Sequence, residues 1–315
     1  MPWGAETVIV CAGEALIDML PRQHEGRTAF VPHAGGAVFN TAIALGRLGG
    51  KVGFLSQLSS DMFGDQLREA LAASSVDASL SPASDQPTTL AFVKLTDGHA
   101  QYLFYDENSA GRTLTQADLP DLPDAVAALH MGAISLIPEP AGAAFEALAM
   151  RETGRRVISL DPNIRANFIS DEASHRARIR RMMRAAHIIK VSDEDMDWIE
   201  PGATPETFAS ARLADGAALV IETRGADGAT GHFRGGEVSV PVPPVTVVDT
   251  VGAGDTFNAG VLHTLARMGR LERERIGAIE EHEVREALAF AARVAAVTVS
   301  RAGADPPWAH ELETG

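Results

Sequence analysis

Cysteine is nearly absent from this chain of 315 residues: Cys11 stands alone, which excludes an intrachain disulfide framework and fits a reducing, cytoplasmic setting. It lies within the apolar run 8–12, where a thiol packs as a small buried hydrophobe. Basic charge is also scarce. With 27 Lys and Arg against 42 Asp and Glu, the formal charge of −15 repels polyanions and argues against a nucleic-acid or polybasic membrane role. A bound nucleotide would have to be met by local positive groups or by metal. No uninterrupted apolar stretch is long enough to span a bilayer, and no basic region precedes the 8–12 run as a secretory signal requires. The ten histidines form no His-Glu-x-x-His or Cys/His cluster of the zinc-binding kind, and the three tryptophans form no stacking stripe for single-stranded nucleic acid. Two nucleotide fingerprints are missing. Counted from Gly252, the sixth position of Gly-x-Gly-x-x-Gly is Phe257, and Gly50-Lys51 lacks the first glycine of a P-loop and is followed by Val52.

What is present is the stretch Asp249-Thr-Val-Gly-Ala-Gly-Asp-Thr-Phe-Asn-Ala-Gly260. Residues 245–248 before it read as a strand, and residues 256–268 after it as a helix with Phe257, Val261, Leu262 and Leu265 on one side. The amides of Gly252, Ala253 and Gly254 at such a helix start lack intrahelical acceptors, so with the helix dipole they form a pocket for anionic oxygen. Asp255 in the first turn is favoured by the same dipole, is expected to stay ionised, and can take a proton from a hydroxyl beside it. Alone, a Gly-x-Gly-Asp segment is equally a loop with a helix-capping Asp.

Short apolar runs at 8–12, 52–55, 129–133, 157–160, 188–191 and 219–222 alternate with helical patterns at 38–48, 65–73, 141–150, 173–185 and 205–213. This is the rhythm of a parallel α/β sheet covered on both faces, whose ligands sit beyond the carboxyl ends of the strands. Residues 28–32, 88–95 and 101–105 break the rhythm as extended segments without an intervening helix.

The 249–260 segment resembles the C-terminal signature of the ribokinase-like (PfkB-type) carbohydrate kinases. Gly35-Gly36-Ala-Val-Phe-Asn40-Thr-Ala-Ile-Ala-Leu-Gly46-Arg-Leu-Gly49 resembles their N-terminal one, and further matches from Gly13-Glu14 to Arg301-Ala-Gly303-Ala304 spread the likeness over nearly the whole chain. The resemblance implies a three-layer, doubly wound, mostly parallel sheet in one domain over residues 1–315. A small β lid, built from segments at about 15–33 and 88–112, would cover the sugar and pair two copies as a homodimer. It also implies ATP and magnesium as cofactors, potassium as a further cation, and a small-molecule sugar as the partner.

Asp18 could accept hydrogen bonds from neighbouring sugar hydroxyls, Gly35 and Gly36 permit close backbone approach, and Asn40 offers a donor and an acceptor. In the resembled family the matching Asp, Gly-Gly and Asn contact the sugar. Tyr105 would lie on the lid edge. Asn163 and Arg165, in an Asp-Pro-Asn-x-Arg turn, could orient and clamp an acidic group, or be surface residues. On the nucleotide side, Lys190-Val-Ser192-Asp193-Glu194-Asp195 aligns with the family's Asn-x-x-Glu motif. Ser192 stands for the Asn and Asp195 for the Glu, or Glu194 if the register slips, organising magnesium through water; a helix cap is the equal alternative. Thr223, Gly225 and Gly228 resemble the family's phosphate-binding turn, and alone would read as a hairpin turn. Asp249, Val251, Thr298, Arg301 and Gly303 match the loops that enclose a monovalent cation in related kinases. Adenine would lie near residues 242–247 and the helix holding Ala291 and Val294.

The expected activity is therefore ATP-dependent phosphorylation of a sugar, with Asp255 as base and the amides of residues 252–254 steadying the phosphoryl group. The Asp-Pro-Asn-x-Arg form resembles fructokinases and 2-keto-3-deoxygluconate kinases more than ribokinase itself, and the 104–112 and 301–307 segments look closer to bacterial fructokinases, which makes D-fructose the expected acceptor. A 2-keto-3-deoxygluconate kinase, a nucleoside kinase and a non-catalytic nucleotide or sugar sensor are the alternatives.

Overall fold

The computed structural model describes residues 7–96 and 99–312; the rest of the expected 1–315 domain, including positions 97–98 of the second lid segment, lies outside the described residues. All six apolar runs become strands of one nine-stranded sheet. Its order, edge to edge, is Gly236–Val240, Ala229–Phe233, Leu219–Thr223, Ile188–Ser192, Val157–Asp161, Val126–Gly132, Val8–Ala12, Lys51–Leu55 and Val76–Asp77. The seven strands from Leu219–Thr223 onward are parallel, and the first two pair antiparallel as a hairpin on the edge. Strand alternation divides the core in two. Ile9 and Cys11 face one apolar layer with Val38, Phe39, Phe257 and Leu288, whereas Val8, Val10 and Ala12 face another with Phe145, Ile179, Met182 and Phe208. The fold is therefore three layers, with helices Ala37–Arg47, Ala253–Arg267 and Glu281–Val299 on one face and Ala141–Glu152, Glu172–Ala185 and Pro205–Asp215 on the other. Burial raises the pKa of the Cys11 thiol, so it packs as a core residue.

The order also locates the crevice. From Val8–Ala12 the chain winds outward to Lys51–Leu55 and Val76–Asp77, then returns to Val126–Gly132 on the other side and winds away. The carboxyl ends of Val8–Ala12 and Val126–Gly132 thus flank the point where the winding reverses, the place where doubly wound sheets bind ligands. Above it stands a separate four-stranded sheet in the order Arg27–Gly35, Leu16–His24, Leu90–Thr96, His99–Tyr105. No helix among the described residues is long and apolar enough to cross a membrane.

One expected strand is absent. Residues 245–248 form an unpaired loop with Val247 58% and Val248 61% exposed. Pro241, Pro243 and Pro244 remove the amide donors that a further strand would need, so the chain leaves the sheet there. Only the amides of Val248 and Asp249 find a partner, both on the Val299 carbonyl. In the helix expected near adenine, Ala291 and Val294 themselves are fully buried, and the Ala291 backbone lies where a Cβ on Gly260 would stand.

Close approach also defines the helix that will carry Asn40. At Gly46, a Cβ would overlap the Ser74 carbonyl oxygen, a backbone group with no room to yield. Gly46→Ala should therefore lower unfolding stability by about 1–3 kcal/mol, the usual cost of overpacking, although alanine favours helix. Urea denaturation checks this; a stabilised variant would show that the helix can shift freely.

Candidate active site

Two helices start at the crevice, and both begin at a glycine with positive φ: Gly36 at 115° before Ala37–Arg47 and Gly252 at 78° before Ala253–Arg267. Neither glycine can cap with a side chain. For the first helix the cap comes from afar, since Glu14 Oε1 accepts from the amides of Ala37 at 2.7 Å and Val38 at 3.3 Å. Its other oxygen accepts from the Ser135 amide at 3.2 Å, so Glu14 ties the end of Val8–Ala12 to the turn after Val126–Gly132. Burial raises the Glu14 pKa, while these amide bonds work against the rise.

The second helix start keeps its donors. Among the described residues the amides of Gly252, Gly254 and Asp255 have no acceptor, whereas Ala253, expected to join them, turns its amide to the Thr250 carbonyl at 3.3 Å. Gly252 must remain small, because a Cβ there would lie 2.7 Å from that of Ala304. Asp255, in the first turn, is 7% exposed, and its Oδ2 accepts from Asn40 Nδ2 at 2.9 Å. Thr41 adds a second cross-link, its hydroxyl lying 3.1 Å from the Asp255 carbonyl. The expectation that the dipole keeps Asp255 fully ionised is corrected by its burial. Desolvation pushes its pKa up to about 7, with the Asn40 hydrogen bond and Lys190 opposing and Asp161 and Glu14 adding to the rise.

Asp18, Gly36, Asn40, Asn163, Arg165, Lys190, Gly252, Ala253, Gly254 and Asp255 all line one cavity of about 360 Å³. Gly35 lies under it: a Cβ there would overlap the Asp18 carboxylate, so the glycine lets that carboxylate lie flat against the strand. Half-buried, Asp18 has its pKa raised to about 6 by desolvation. Asn163 holds a left-handed backbone with φ 41°, and Arg165 is exposed with Nη1 on the Ile164 carbonyl at 3.0 Å. Lys190 Nζ is buried and pairs with Asp161 Oδ2 at 3.0 Å. Burial opposes the charge, yet Asp161, Asp195 and Asp255 together raise the Lys190 pKa.

Other expected site residues stand outside this cavity. Tyr105 is 58% exposed and packs edge-on against Phe92, because alternation along His99–Tyr105 turns the neighbouring Phe104 inward instead. Ser192 and Asp195 form a capping box, and Asp195 also accepts from the Ile164 amide at 2.6 Å, so both its oxygens hold backbone. Glu194 is exposed. No group of three or more His, Cys, Asp or Glu suited to a metal occurs among the described residues. Thr223, Gly225 and Gly228 make the turn between Leu219–Thr223 and Ala229–Phe233, where a Cβ on Gly228 would overlap the Val240 carbonyl. Asp249 accepts from the amides of Val251 at 3.0 Å and Gly303 at 2.8 Å, which brings the two loops of the expected monovalent site together. Thr298 bonds its hydroxyl to the Val294 carbonyl, and the Arg301 side chain pairs with Glu311 at 2.6 Å.

The site also contains residues that the sequence reading left out. Glu14, Phe104 and Phe168 line the cavity, with the two rings 4.5 Å apart, and Asp161 and Asn258 stand behind Lys190. Asn258 follows Asp255 by three positions, the spacing that places two side chains on one helix face, and was readable on that ground. A larger cavity of about 620 Å³ beyond Phe104 and Phe168 is lined in part by Asp106, Gly111 and Arg112 of the 104–112 segment.

A carboxylate with a raised pKa has a stability consequence. Between the ordinary Asp value near 4 and about 7, native Asp255 keeps a proton that the unfolded chain releases, so this group lowers stability as pH rises through that window. Asp255→Asn should thus be more stable than the parent at pH 8 by about 1–4 kcal/mol, with the difference fading toward pH 4. Urea denaturation at both pH values reads it; equal stabilities at pH 8 would mean an ordinary carboxylate.

Comparison with known proteins agrees with this geometry. The model of the "pfkB family carbohydrate kinase" matches residues 6–311. The chain is 53% identical over 279 residues to a fructokinase of Rhizobium leguminosarum bv. trifolii, covering 88% of this chain and 86% of that one. Among solved structures, a fructokinase with bound ATP from Xylella fastidiosa superposes with a TM-score of 0.90 at 29% identity over 97% of each chain. The aminoimidazole riboside kinase of Salmonella enterica superposes with a TM-score of 0.82 at 27% identity, over 98% of this chain and 99% of that one. With the family matched along almost its whole length and its signature residues gathered at one crevice, the chain belongs to the pfkB family of carbohydrate kinases.

Proposed function

We propose that this carbohydrate kinase is a fructokinase, transferring the γ-phosphoryl group of ATP to a hydroxyl of D-fructose. The observation that carries the reading is Asp255: a buried carboxyl of pKa about 7, directly beside unpaired amides at a helix start and lining the same cavity as Asp18. The 53% identity to a fructokinase supports the choice of acceptor. The Asp18 carboxylate has no hydrogen-bond partner among the described residues, and a carboxylate in that state is served by a neutral polyol's hydroxyls. Arg165 at the same cavity favours a second reading, an acidic acceptor such as 2-keto-3-deoxygluconate, which Asp18 opposes.

In the reaction, Asp255 takes the hydroxyl proton as the sugar oxygen bonds to the γ-phosphorus and the bond to the β-γ bridging oxygen breaks, releasing ADP. The amides of Gly252, Gly254 and Asp255, with the Lys190 ammonium, face the charge that spreads over the transferring group. Asn40 aims the base by fixing one of its oxygens. Magnesium would arrive on the nucleotide phosphates. Exposed Glu194 could reach the ion through water, whereas Asp195, with each oxygen on a backbone amide, would hold the shape of that turn. The Thr223–Gly228 turn would meet the outer phosphates. A potassium-like cation would lie between the loops that Asp249 joins. The four-stranded sheet would serve as the lid and, through exposed Phe30, Val31, Leu103 and Tyr105, as the contact between two copies.

A coupled ADP-release assay over a panel of sugars tests the acceptor, with fructose expected to give the highest kcat/KM and 2-keto-3-deoxygluconate the result that would reverse the choice. Asp255→Asn should lower kcat by roughly a hundredfold or more. For the parent, kcat/KM should fall about tenfold per unit below pH 7, because a protonated Asp255 accepts nothing. A rate independent of pH from 5 to 8 would remove Asp255 as the base. Asp18→Ala should raise the KM for sugar and spare that for ATP.

A further inference from the structure

Lys190 is held by two residues that the reaction as written does not use. Asp161, 3% exposed at the end of Val157–Asp161, accepts with a single oxygen, Oδ2, from Lys190 Nζ at 3.0 Å and from Asn258 Nδ2 at 2.7 Å. Its other oxygen is buried without a partner among the described residues. The Asp161 backbone is itself confined, because a Cβ on Gly132 of the next strand would overlap its carbonyl. Lys190 comes from the strand on the other side, Ile188–Ser192, and its Nζ lies 3.1 Å from where a Cβ on Gly254 would stand. Asn258 belongs to the helix that carries Asp255, one turn further on.

This arrangement is poorly explained by stability. A buried ion pair gains little over apolar packing, and a carboxylate with one oxygen left unpaired gains less. It is well explained by placement. A lysine side chain is a flexible four-carbon stem, and its ammonium stays at one point only if something fixes it. Asp161 supplies the fixed counter-charge, and Asn258 ties that carboxylate to the Asp255 helix. The spacing between ammonium and base is then set by one rigid element.

We propose that Asp161 and Asn258 are positioning residues that hold the Lys190 ammonium at the amino end of Ala253–Arg267, and that Asp161 acts on phosphoryl transfer only through Lys190. The proposal rests on the kinase reading above. During transfer, one ammonium N–H keeps donating to Asp161 and the others turn to the oxygens of the moving phosphoryl group. No proton leaves the lysine.

The test is a double-mutant cycle on the full chain with the wild type's best acceptor. Lys190→Met should lower kcat by roughly a hundredfold, the scale for losing one electrostatic contact to the transition state. Asp161→Asn should lower kcat by about tenfold or more and leave the KM for sugar within about twofold. In the Lys190→Met background, Asp161→Asn should then change kcat by less than about twofold, since its effect has already been lost. Losses that multiply instead would assign Asp161 a role of its own and overturn the proposal, as would a folded Asp161→Asn with wild-type kcat. Should Asp161→Asn fold poorly because it strands a buried lysine, Asn258→Ala leaves the ion pair in place. It should lower kcat severalfold with the sugar KM unchanged, and wild-type kcat there would also overturn the proposal. A wild type inert toward every acceptor would remove the kinase reading and this proposal together, whereas an active wild type with multiplying losses removes only this one.

Discussion

The hydrogen bond from Asn40 to Asp255 is the contact on which the site depends. It joins two residues 215 positions apart in the chain, each in the first turn of a helix, and each helix begins at a glycine that only a left-handed or open backbone allows. Neither glycine can cap with a side chain, so donors of one start are met by Glu14, whereas at the other the amides of Gly252, Gly254 and Asp255 have no acceptor among the described residues. On the proposed reaction, separating the two starts would cost Asp255 its aim and turn the amides away from the transferring group. The glycines at 36 and 252 are therefore conditions for this contact as much as for the turns themselves.

The sheet makes the meeting possible. Winding outward from Val8–Ala12 in one direction and then in the other opens a crevice beside that strand, and Glu14 and Ala133 leave the two central strands directly into it. Residues just past the two central strands, from the first helix and from the start of the Ala253–Arg267 helix thus reach one cavity. Rigid placement of this kind is what phosphoryl transfer requires, since the protein contributes position and charge and little covalent chemistry.

Much of this was legible in the sequence, because the features that define it are local. Apolar runs of four or five residues between helical patterns named six of the nine strands of the main sheet to within three residues, and the glycine-rich segments marked both helix starts. What depended on the other side of a contact was not legible. Nothing in the order of residues separates Phe104 from Tyr105; the pairing register of His99–Tyr105 decides which one turns inward. The valines at 245–248 have strand propensity, but the prolines before them leave no donors to pair. Asp195 reads as a metal ligand or a cap, and only the Ile164 amide against its second oxygen shows how fully it is engaged by backbone. Asp161 was seen as part of a turn, since its partners Lys190 and Asn258 lie 29 and 97 positions away.

The charges gathered at the crevice also explain why the base is buried. Glu14, Asp161 and Asp255 stand near a single lysine, an arrangement that costs stability and raises the Asp255 pKa toward neutrality. On the proposed reaction that cost has a use. A carboxylate fully at ease in water would hold a proton too weakly to draw it from an alcohol, whereas one pressed by burial accepts it more readily. As the proton arrives, negative charge leaves the carboxylate for the attacking oxygen and then for the phosphoryl group, moving toward the free amides and Lys190. The same burial that weakens the resting protein thus favours the direction in which charge must flow, which is why the acidic cluster and the cationic helix start belong in one cavity.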